Sequence, residues 1–488
     1  MNEILNQSKK SAFSENIEKV FNYLLPSAFL INTFINIVIF YIGQAGNEPV
    51  RWGISWGVTI IVFALAVIRL ACIFYEKKDY RVRIGVSLAI FAVFLILQIC
   101  AFATVGLKKE AIEDFFVFGI YGLIMLTVAI DIAIFGKESK LADGFELYAL
   151  IMLPVLIGYC IICLGGFNQP YWSRDLVKVS YMNISYTALP IILAIMFRLF
   201  YWKDQPHTFA GIIKCKKANV IRVAVVIAYW IISIVAGTRG AFVAVAFFMI
   251  LLLIVLLLKK MQVKMLICLG VGMIAIFAAV SMIPTADGAK RMGEFVSGVA
   301  GGEFSSYSMS ADEKKVFNEL KESKTEETGQ DLLKRLSIEH PEMVRIDDDG
   351  NVVLYMDRME LYNAALEEIA DKPLTGMGIK GFQVKYTTYP HNFVLEFMAD
   401  AGIAAGILYV AFLLILFVKL IKMALHSDKI MFMMLLILGV AVTIFISGSM
   451  YEASILFFAS IYIVMSGKKI WYEPKIELKE KAYMAQHK

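Results

Sequence analysis

Long apolar runs recur along this chain and limit what it can fold into. A helix needs roughly 20 mostly apolar residues to cross the hydrocarbon core of a bilayer. Twelve such runs can be placed, at 21–43, 53–75, 84–105, 114–135, 145–165, 180–201, 219–236, 240–258, 264–284, 393–418, 429–447 and 450–466. Only 18% of the 488 residues are charged, well below the quarter that is usual in soluble domains. The sequence therefore predicts an all-α polytopic membrane protein with about 12 transmembrane helices.

Lysine and arginine are distributed unevenly between alternate loops. If both termini are cytoplasmic, the cytoplasmic loops with their flanking helix ends hold 27 of the 47 Lys and Arg residues, and the short loops on the other side hold six. This asymmetry is typical of membrane proteins, whose short cytoplasmic loops are enriched in positive charge. The net charge of +5 then reflects topology, and no nucleic-acid partner is expected.

One segment of about a hundred residues between the ninth and tenth spans is not membrane-like. The predicted organisation is spans one to nine with a cytoplasmic N-terminus in 1–284, a large extracytoplasmic loop in 285–391, spans ten to twelve in 392–466, and a cytoplasmic tail in 467–488. The loop is expected to be mainly helical, with two short strands in "VRIDDDGNVVLY" around an Asp-Gly turn. The same stretch resembles a calcium loop, but Arg358 stands where the closing glutamate belongs, so a plain turn is favoured.

The last part of this loop, "DRMELYNAALEEIADKPLTGMGIKGF", predicts a helix that Pro373 ends, followed by a tight turn at Gly376 and Gly378. Its predicted apolar face consists of Met359, Tyr362, Leu366 and Ile369. A helix with such a face beside a bilayer is expected to lie on the membrane surface or to pack against the helix bundle.

Polar residues mark the start of the tenth span, "HNFVLEFMADAGIAAG". His391 lies where the loop meets the membrane, and steps of four residues place Asn392, Glu396 and Asp400 on one helical stripe. Ionisable groups in a span usually face the bundle interior or a wet cavity, so this stripe is expected to face water. Further along, Gly402 and Gly406 predict a face of small residues for close helix packing. A plain polar residue at a helix start remains the alternative for His391.

Arginines are also expected at the outer boundary. Arg239 lies between two apolar runs in "AGTRGAF", Arg291 follows the ninth span, and Arg358 begins the loop helix. Arg239 could simply extend its charge to the surface from a short hairpin. A guanidinium also fits phosphate oxygens with two parallel hydrogen bonds, so the cluster favours an anion site.

Three motifs, in this order, resemble those of a known family. "GTRGAF" is similar to the S-R-G-A stretch of the O-antigen ligases and O-antigen polymerases, with Thr238 in place of serine. "DRMELYNAALEEIADKPLTGMGIKGF" resembles the segment with an arginine, an aromatic residue, Ala-Leu and P-x-x-G-x-G. "HNFVLEFMADAGIAAG" is similar to H-N-x-x-L-E-x-x-x-x-x-G-x-x-x-G. The motifs cover about residues 230–410, and the first six spans agree only in hydropathy.

The resemblance implies a GT-C-like glycosyltransferase of the bacterial inner membrane, with its active site outside the cytoplasm and no cofactor or metal. The implied partners are an undecaprenyl-diphosphate-linked glycan donor, a glycan or glycolipid acceptor, a flippase and a chain-length regulator. His391 matches the family's histidine, a candidate catalytic base. Arg239 and Arg358 match its two functional arginines and are expected to stabilise the diphosphate leaving group. The further substrate-binding candidates are Arg291, Asn392 and Glu396.

Several functions remain open at this point. Polymerisation of lipid-linked repeats is favoured, and ligation of finished glycan to a lipid or other acceptor needs the same donor chemistry. A glycolipid flippase or exporter would place buried charges within several spans, whereas the strongest polar signals here are expected at the outer boundary. A membrane sensor is a further alternative, but the sequence has no recognisable cytoplasmic output domain.

Overall fold

The computed structural model describes residues 12–27, 29–30, 35, 39, 48–106, 109–164, 181–202, 207–283, 344–346, 352–354, 358–386, 388–447 and 455–467. Its first nine helices are α1 Ala12–Leu24, α2 Glu48–Glu76, α3 Arg81–Val105, α4 Lys109–Phe135, α5 Glu138–Leu164, α6 Tyr181–Phe200, α7 Ala218–Ala236, α8 Arg239–Leu258 and α9 Lys264–Ser281. The later helices are α10 Arg358–Asp371, α11 Gly381–Tyr386, α12 Phe393–Ala401, α13 Ile403–Ala424, α14 Asp428–Ser447 and α15 Ile455–Ser466. A 3₁₀ turn, Lys78–Tyr80, joins α2 to α3.

The predicted all-α polytopic class is confirmed. Within the described ranges, nine helices are long and apolar enough to cross a membrane, and two more, Ile184–Phe200 and Ile455–Ser466, are apolar but shorter. These helices coincide with the second to the twelfth predicted spans. The first predicted span, 21–43, lies largely outside the described residues, so the total of about 12 stays a prediction.

The described strands form two short hairpins. β1 Thr208–Phe209 pairs with β2 Ile213–Lys214, and β3 Val344–Ile346 pairs with β4 Val352–Leu354. The second hairpin confirms the two strands predicted in the long loop. The Asp-Gly turn between them and most of 285–391 lie outside the described residues.

The described helices other than α10 and α11 form one bundle with a shared apolar core. α8 packs against α14. Lys259, just after α8, lies 3.8 Å from Asp428 at the start of α14, which shows that the two helices run in opposite directions. α6 packs against both, and Tyr201 at its end donates a hydrogen bond of 2.6 Å to Asp428. The ends of α6 and α8 and the start of α14 therefore lie at one end of the bundle.

The tenth predicted span, 393–418, is not a single helix. α12 ends before Gly402, whose φ is +87°, and α13 begins at Ile403. The Ile403 N–H donates to the carbonyl of Pro373 at 2.8 Å, so the break is held by a contact from the preceding loop. The predicted face of Gly402 and Gly406 is therefore correct only at Gly406, where a Cβ would overlap the Met398 side chain of α12. Gly402 instead provides the positive φ of the break.

Candidate active site

The two segments that carry Arg358 and His391 pack side by side. α10 begins at Arg358, and α12 begins two residues after His391. The apolar cluster that joins them contains Leu361, Ala364, Ala365 and Ile369 of α10, Phe382 and Tyr386 of α11, Ala399 of α12 and, against these, Leu395. The Pro373 carbonyl, just after α10, accepts the N–H of Ile403, just after α12. Since the two helices pack side by side and their C-terminal ends meet, they run in the same direction. Arg358 and His391 therefore lie at the same end of the pair.

The buried face of α10 differs from the predicted one, which was Met359, Tyr362, Leu366 and Ile369. Ile369 is buried, but Leu366 is 52% exposed, while Leu361 and Ala365 are buried. Alanine lets two helices approach closely, and a search for large apolar residues misses it. Of the two locations expected for this helix, packing against other helices is the observed one.

A buried carboxylate fastens α11 to α10. Glu368 accepts hydrogen bonds from the Lys385 ammonium and the Tyr386 hydroxyl, both at 2.7 Å. Burial, together with the Glu368 charge, raises the pKa of Tyr386 well above its ordinary value. The phenol therefore keeps its proton and remains a donor to Glu368.

The predicted glycine turn after α10 is present and is bonded to the end of α12. Gly376 and Gly378 have φ values of +63° and +92°. The Met377 N–H donates to the Ala399 carbonyl at 2.8 Å, and the Gly378 N–H donates to the Asp400 carbonyl at 2.9 Å. A Cβ on Gly376 would overlap the Asp400 carbonyl. The turn and the end of α12 thus fit together only with glycine at this position.

The Asp400 side chain bonds the same turn and does not face water. Its two carboxylate oxygens accept the N–H groups of Lys380 and Phe382, each at 2.9 Å. Asp400 is 1% exposed and Glu396 is 2% exposed. The predicted stripe toward an aqueous cavity is therefore wrong for Asp400, because the nearest donors that need an acceptor are the backbone groups of the turn.

The turn also contacts two bundle helices. The Lys380 ammonium lies 2.6 Å from the carboxylate of Asp114 near the start of α4. A methyl group on Gly378 would lie 2.7 Å from the hydroxyl of Thr104, at the end of α3. The α10–α12 pair is therefore docked where α3 ends and α4 begins.

His391 has an unusual backbone and a defined neighbour. Its φ is +53°, and its ring centroid lies 4.4 Å from that of Tyr389. The next residue, Asn392, caps α12, and its side-chain oxygen accepts the N–H groups of Val394 at 3.0 Å and Leu395 at 3.2 Å. A side-chain oxygen at an N-cap fixes where the helix begins, and here it fixes the position of His391 too.

Arg239 is the first residue of α8 and is half-buried. Gly237, with φ of +68°, ends α7 in the left-handed conformation that allows the sharp connection. A methyl group on Gly240 would lie 2.9 Å from the Tyr186 hydroxyl, so the start of α8 lies against the first turns of α6. The N-terminus of a helix favours anions, which adds to the charge of Arg239.

Helix packing brings the Arg239 and His391 segments to one end of the bundle. The Phe393 ring, at the start of α12, lies 4.9 Å from the Phe445 ring near the end of α14. Since α8 and α14 are antiparallel, the start of α8 lies at that same end. We call it the motif end. Arg291 lies outside the described residues.

The opposite end, which we call the ion-pair end, contains a first buried charge cluster. Asp131 near the end of α4 lies 2.6 Å from the Arg69 guanidinium and 2.8 Å from the Lys137 ammonium. Glu18 of α1 lies 3.2 Å from both cations. Arg69 and Asp131 are fully buried, so this cluster joins α1, α2 and α4 away from water.

A second buried cluster lies at the same end. Glu146 contacts Arg222 at 2.7 Å and Arg198 at 3.2 Å, and Asp143 contacts Arg198 at 2.8 Å. Glu146 also accepts the Ala210 N–H at 2.6 Å, which fastens the β1–β2 hairpin to the bundle. The expectation that the strongest polar signals lie at one boundary only is therefore wrong. Oppositely charged residues at matching depths of neighbouring spans, such as Arg69 and Asp131, are the signal that could have revealed these clusters.

Across the described ranges, no three His, Cys, Asp or Glu side chains come together as metal ligands would.

The bundle and its motif end together define a class: a multi-pass membrane protein with arginine-bearing and histidine-bearing helix starts at one end. Residues 224–410 match the family model described as O-Antigen ligase. This part of the chain is therefore similar to the O-antigen ligase family, a family of glycosyltransferase-type membrane enzymes, and the match supports the resemblance of the three motifs. Neither the curated proteins nor the solved structures gave a match.

Proposed function

We propose that this protein joins lipid-linked oligosaccharide repeats into a surface polysaccharide, with a donor carried on undecaprenyl diphosphate. One observation carries the proposal. α10, which begins at Arg358, and α12, which follows His391, run parallel from the same end, and Arg239 starts a helix at that end of the bundle. All three positions fall within the matched residues 224–410.

In the proposed reaction, a sugar hydroxyl of the acceptor attacks the anomeric carbon of the donor. The bond from that carbon to the diphosphate oxygen breaks, and undecaprenyl diphosphate leaves with the electron pair. Negative charge develops on the leaving group, and Arg239 and Arg358 are proposed to stabilise it. Fixed guanidinium groups supply this stabilisation without a metal ion. Arg291 is proposed as a further contact to the donor.

His391 is proposed to accept the proton of the attacking hydroxyl. A non-glycine residue with positive φ is strained by about 1–3 kcal/mol, and such strain concentrates at functional sites. The Asn392 cap and the Tyr389 ring hold this strained residue in place. Asn392 has its side-chain oxygen committed to the cap, so any contact to substrate would come from its amide nitrogen. Glu396 is proposed to orient His391 or an acceptor hydroxyl.

Ligation of a finished glycan is the second candidate, because the matching family model is described as O-Antigen ligase. Both reactions use the same donor chemistry, and they differ in the acceptor. A polymerase extends glycan that stays on undecaprenyl diphosphate, whereas a ligase moves it in one step to another carrier.

The deciding experiment uses the purified protein with a lipid-diphosphate-linked oligosaccharide, in EDTA. A ladder of longer lipid-linked products supports polymerisation. A single product on an added lipid or glycan acceptor supports ligation. If the covalent structure of the donor does not change under any condition, both polymerisation and ligation are contradicted, and a flippase or exporter is favoured. Activity that is lost in EDTA and restored by one divalent ion would contradict the metal-free mechanism.

The proposal also requires that the motif end faces out of the cytoplasm. A Ser323→Cys variant should react with a membrane-impermeant thiol reagent in intact cells, after permeabilisation of any outer membrane. Cys215, a free thiol between β2 and α7, serves as the internal control and should react only after lysis. The reverse pattern would overturn the orientation.

A further inference from the structure

We propose that Asp400 is a positioning residue for glycan transfer, which sets the axial register of α10 against α12. The proposal rests on the function proposed above, because register matters through Arg358 and His391. Asp400 lies in the last turn of α12, whereas His391 lies just before its first. It is not proposed to touch substrate.

Asp400 bonds the turn after α10 at three points. Its carboxylate accepts the N–H groups of Lys380 and Phe382, and its carbonyl accepts the N–H of Gly378, all at 2.9 Å. The side chain is almost fully buried, and hydrogen bonds to an ionised acceptor are stronger than neutral ones. Asp400 therefore accepts three backbone donors of the turn, two on its carboxylate and one on its carbonyl.

This turn leaves directly from the end of α10, so holding it holds the helix. The Pro373 carbonyl accepts the Ile403 N–H at 2.8 Å, which adds a second fastening at the break after α12. α10 and α12 are thus joined at their C-terminal ends and run in parallel toward Arg358 and His391. A slip of one residue along a helix is about 1.5 Å. Misplacement of reacting groups by about 1 Å can cost on the order of 100-fold in rate.

The central test replaces Asp400 by asparagine. Asn has one acceptor oxygen and an NH₂ group that would face a backbone donor, so Asp400→Asn loses one of the two side-chain bonds. We expect turnover to fall by about 10- to 100-fold. The matched control is Asp143→Asn, another buried aspartate, which lies at the ion-pair end. It should leave turnover per folded molecule within about twofold of the wild type, because distant sites act independently.

A double-mutant cycle tests whether the role of Asp400 is merely structural. Its second variant is Arg358→Lys, which keeps the positive charge and is expected to keep some activity. If Asp400 acts through the placement of Arg358, Asp400→Asn should cost less than about threefold in the Arg358→Lys background. The Asp143→Asn control should have the same effect in both backgrounds. Coupling of this kind is expected only between residues that share one function or contact.

Three outcomes decide the proposal. Full turnover of Asp400→Asn would overturn it, as would an equal loss of turnover in both backgrounds. If Asp400→Asn is not recovered in the membrane, Asp400→Glu takes its place, because it keeps both acceptor oxygens and moves the turn by one methylene. Full turnover of Asp400→Glu would then overturn the proposal.

Arg239→Ala separates the proposed function from the positioning role of Asp400. If Arg239→Ala retains transfer, the proposed function fails. If Arg239→Ala loses transfer but the effects of Asp400→Asn and Arg358→Lys are additive, only the positioning role fails.

Discussion

The two ends of the bundle differ in the partners of their most buried charges. At the ion-pair end, the buried cations Arg69, Arg198 and Arg222 each lie within salt-bridge distance of a carboxylate. At the motif end, the buried carboxylate of Asp400 accepts backbone N–H groups, and Arg239 is half-buried at a helix start. Charges that compensate one another inside the protein hold helices together, whereas a cation at a helix N-terminus favours an incoming anion.

This contrast assigns different consequences to mutations of similar residues. Changes at the motif end should reduce turnover and leave the fold largely intact. Changes at the ion-pair end should reduce the amount of folded protein and leave turnover per folded molecule intact. The contrast fails if variants at either end lose both turnover per folded molecule and the amount of folded protein.

The largest effect, counted over turnover and donor binding together, is expected from the motif arginines. Arg239→Ala and Arg358→Ala should each nearly abolish transfer, since removal of one such donor typically costs about 10²–10³-fold in turnover and donor binding weakens too. Lys should rescue poorly because it cannot make the two-pronged contact. Product length on gels and donor affinity measure the effect. Arg81→Ala is the control, because Arg81 is bonded to the Phe74 carbonyl at an exposed site. Near-normal glycan with either alanine variant would reject the diphosphate role.

The next effect concerns His391. General-base assistance contributes about 10²–10⁴-fold, so His391→Ala should lower turnover by that range and change donor affinity little. His391→Gln keeps hydrogen bonding but cannot take up a proton at neutral pH, so it should also be slow. Steady-state kinetics with varied donor concentration separates kcat from KM. His426→Gln, in an exposed position at the end of α13, is the matched control and should be neutral. Nearly full turnover of His391→Gln would mean that the residue only positions the acceptor, and Glu396 would become the candidate base.

A stability effect is expected at the ion-pair end. Asp131→Asn leaves Arg69 and Lys137 with Glu18 as the remaining carboxylate of the cluster. Removal of one partner of a buried pair typically destabilises by about 3–5 kcal/mol. The melting temperature in detergent and the yield from membranes should fall, and turnover per folded molecule should not. A variant that melts normally but transfers slowly would contradict the division between the two ends.

The membrane fold was predictable because it depends on local pattern. Most apolar runs became helices within a few residues of their predicted bounds. The break at Gly402 was not predictable in this way, because a glycine inside an apolar run is also common in unbroken spans. The contact that holds the break joins Pro373 to Ile403, and no local pattern reports on a contact across 30 positions.

The site was predictable only in part for a related reason. The motifs identified Arg239, Arg358 and His391 as candidates, and packing explains how their segments reach one end of the bundle. Helical spacing placed Asp400 on a wet stripe, but its partners come from a turn 20 residues earlier. The pair Arg69 and Asp131 likewise joins helices 62 residues apart. Neither Arg69 nor Asp131 stands out as functional in the sequence, and only the tertiary structure shows that the two residues are partners.

The smallest predicted effect is a pH dependence at the ion-pair end. Burial lowers the pKa of Lys137, between α4 and α5, from 10.5 to about 8, and contact with Asp131 offsets part of this effect. Between about pH 8 and the unfolded value of 10.5, the folded chain binds fewer protons at Lys137 than the unfolded chain does. Stability from this group therefore rises with pH in that window, and the penalty for its charge is fully present below pH 8.

Lys137→Met keeps the bulk of the side chain and removes this titration. We compare the melting temperatures of the wild type and Lys137→Met. The wild-type value minus the variant value should increase as the pH rises from 8 to 10. This increase should be smaller than the change in melting temperature caused by Asp131→Asn. Lys140→Met is the control, since Lys140 is largely exposed. A difference that stays flat would show that Lys137 keeps its ordinary proton affinity inside the cluster, and one that falls with pH would show that its pKa is raised. In the flat case Lys137 would stay charged across this pH range, and its ammonium would remain an ion-pair partner of Asp131.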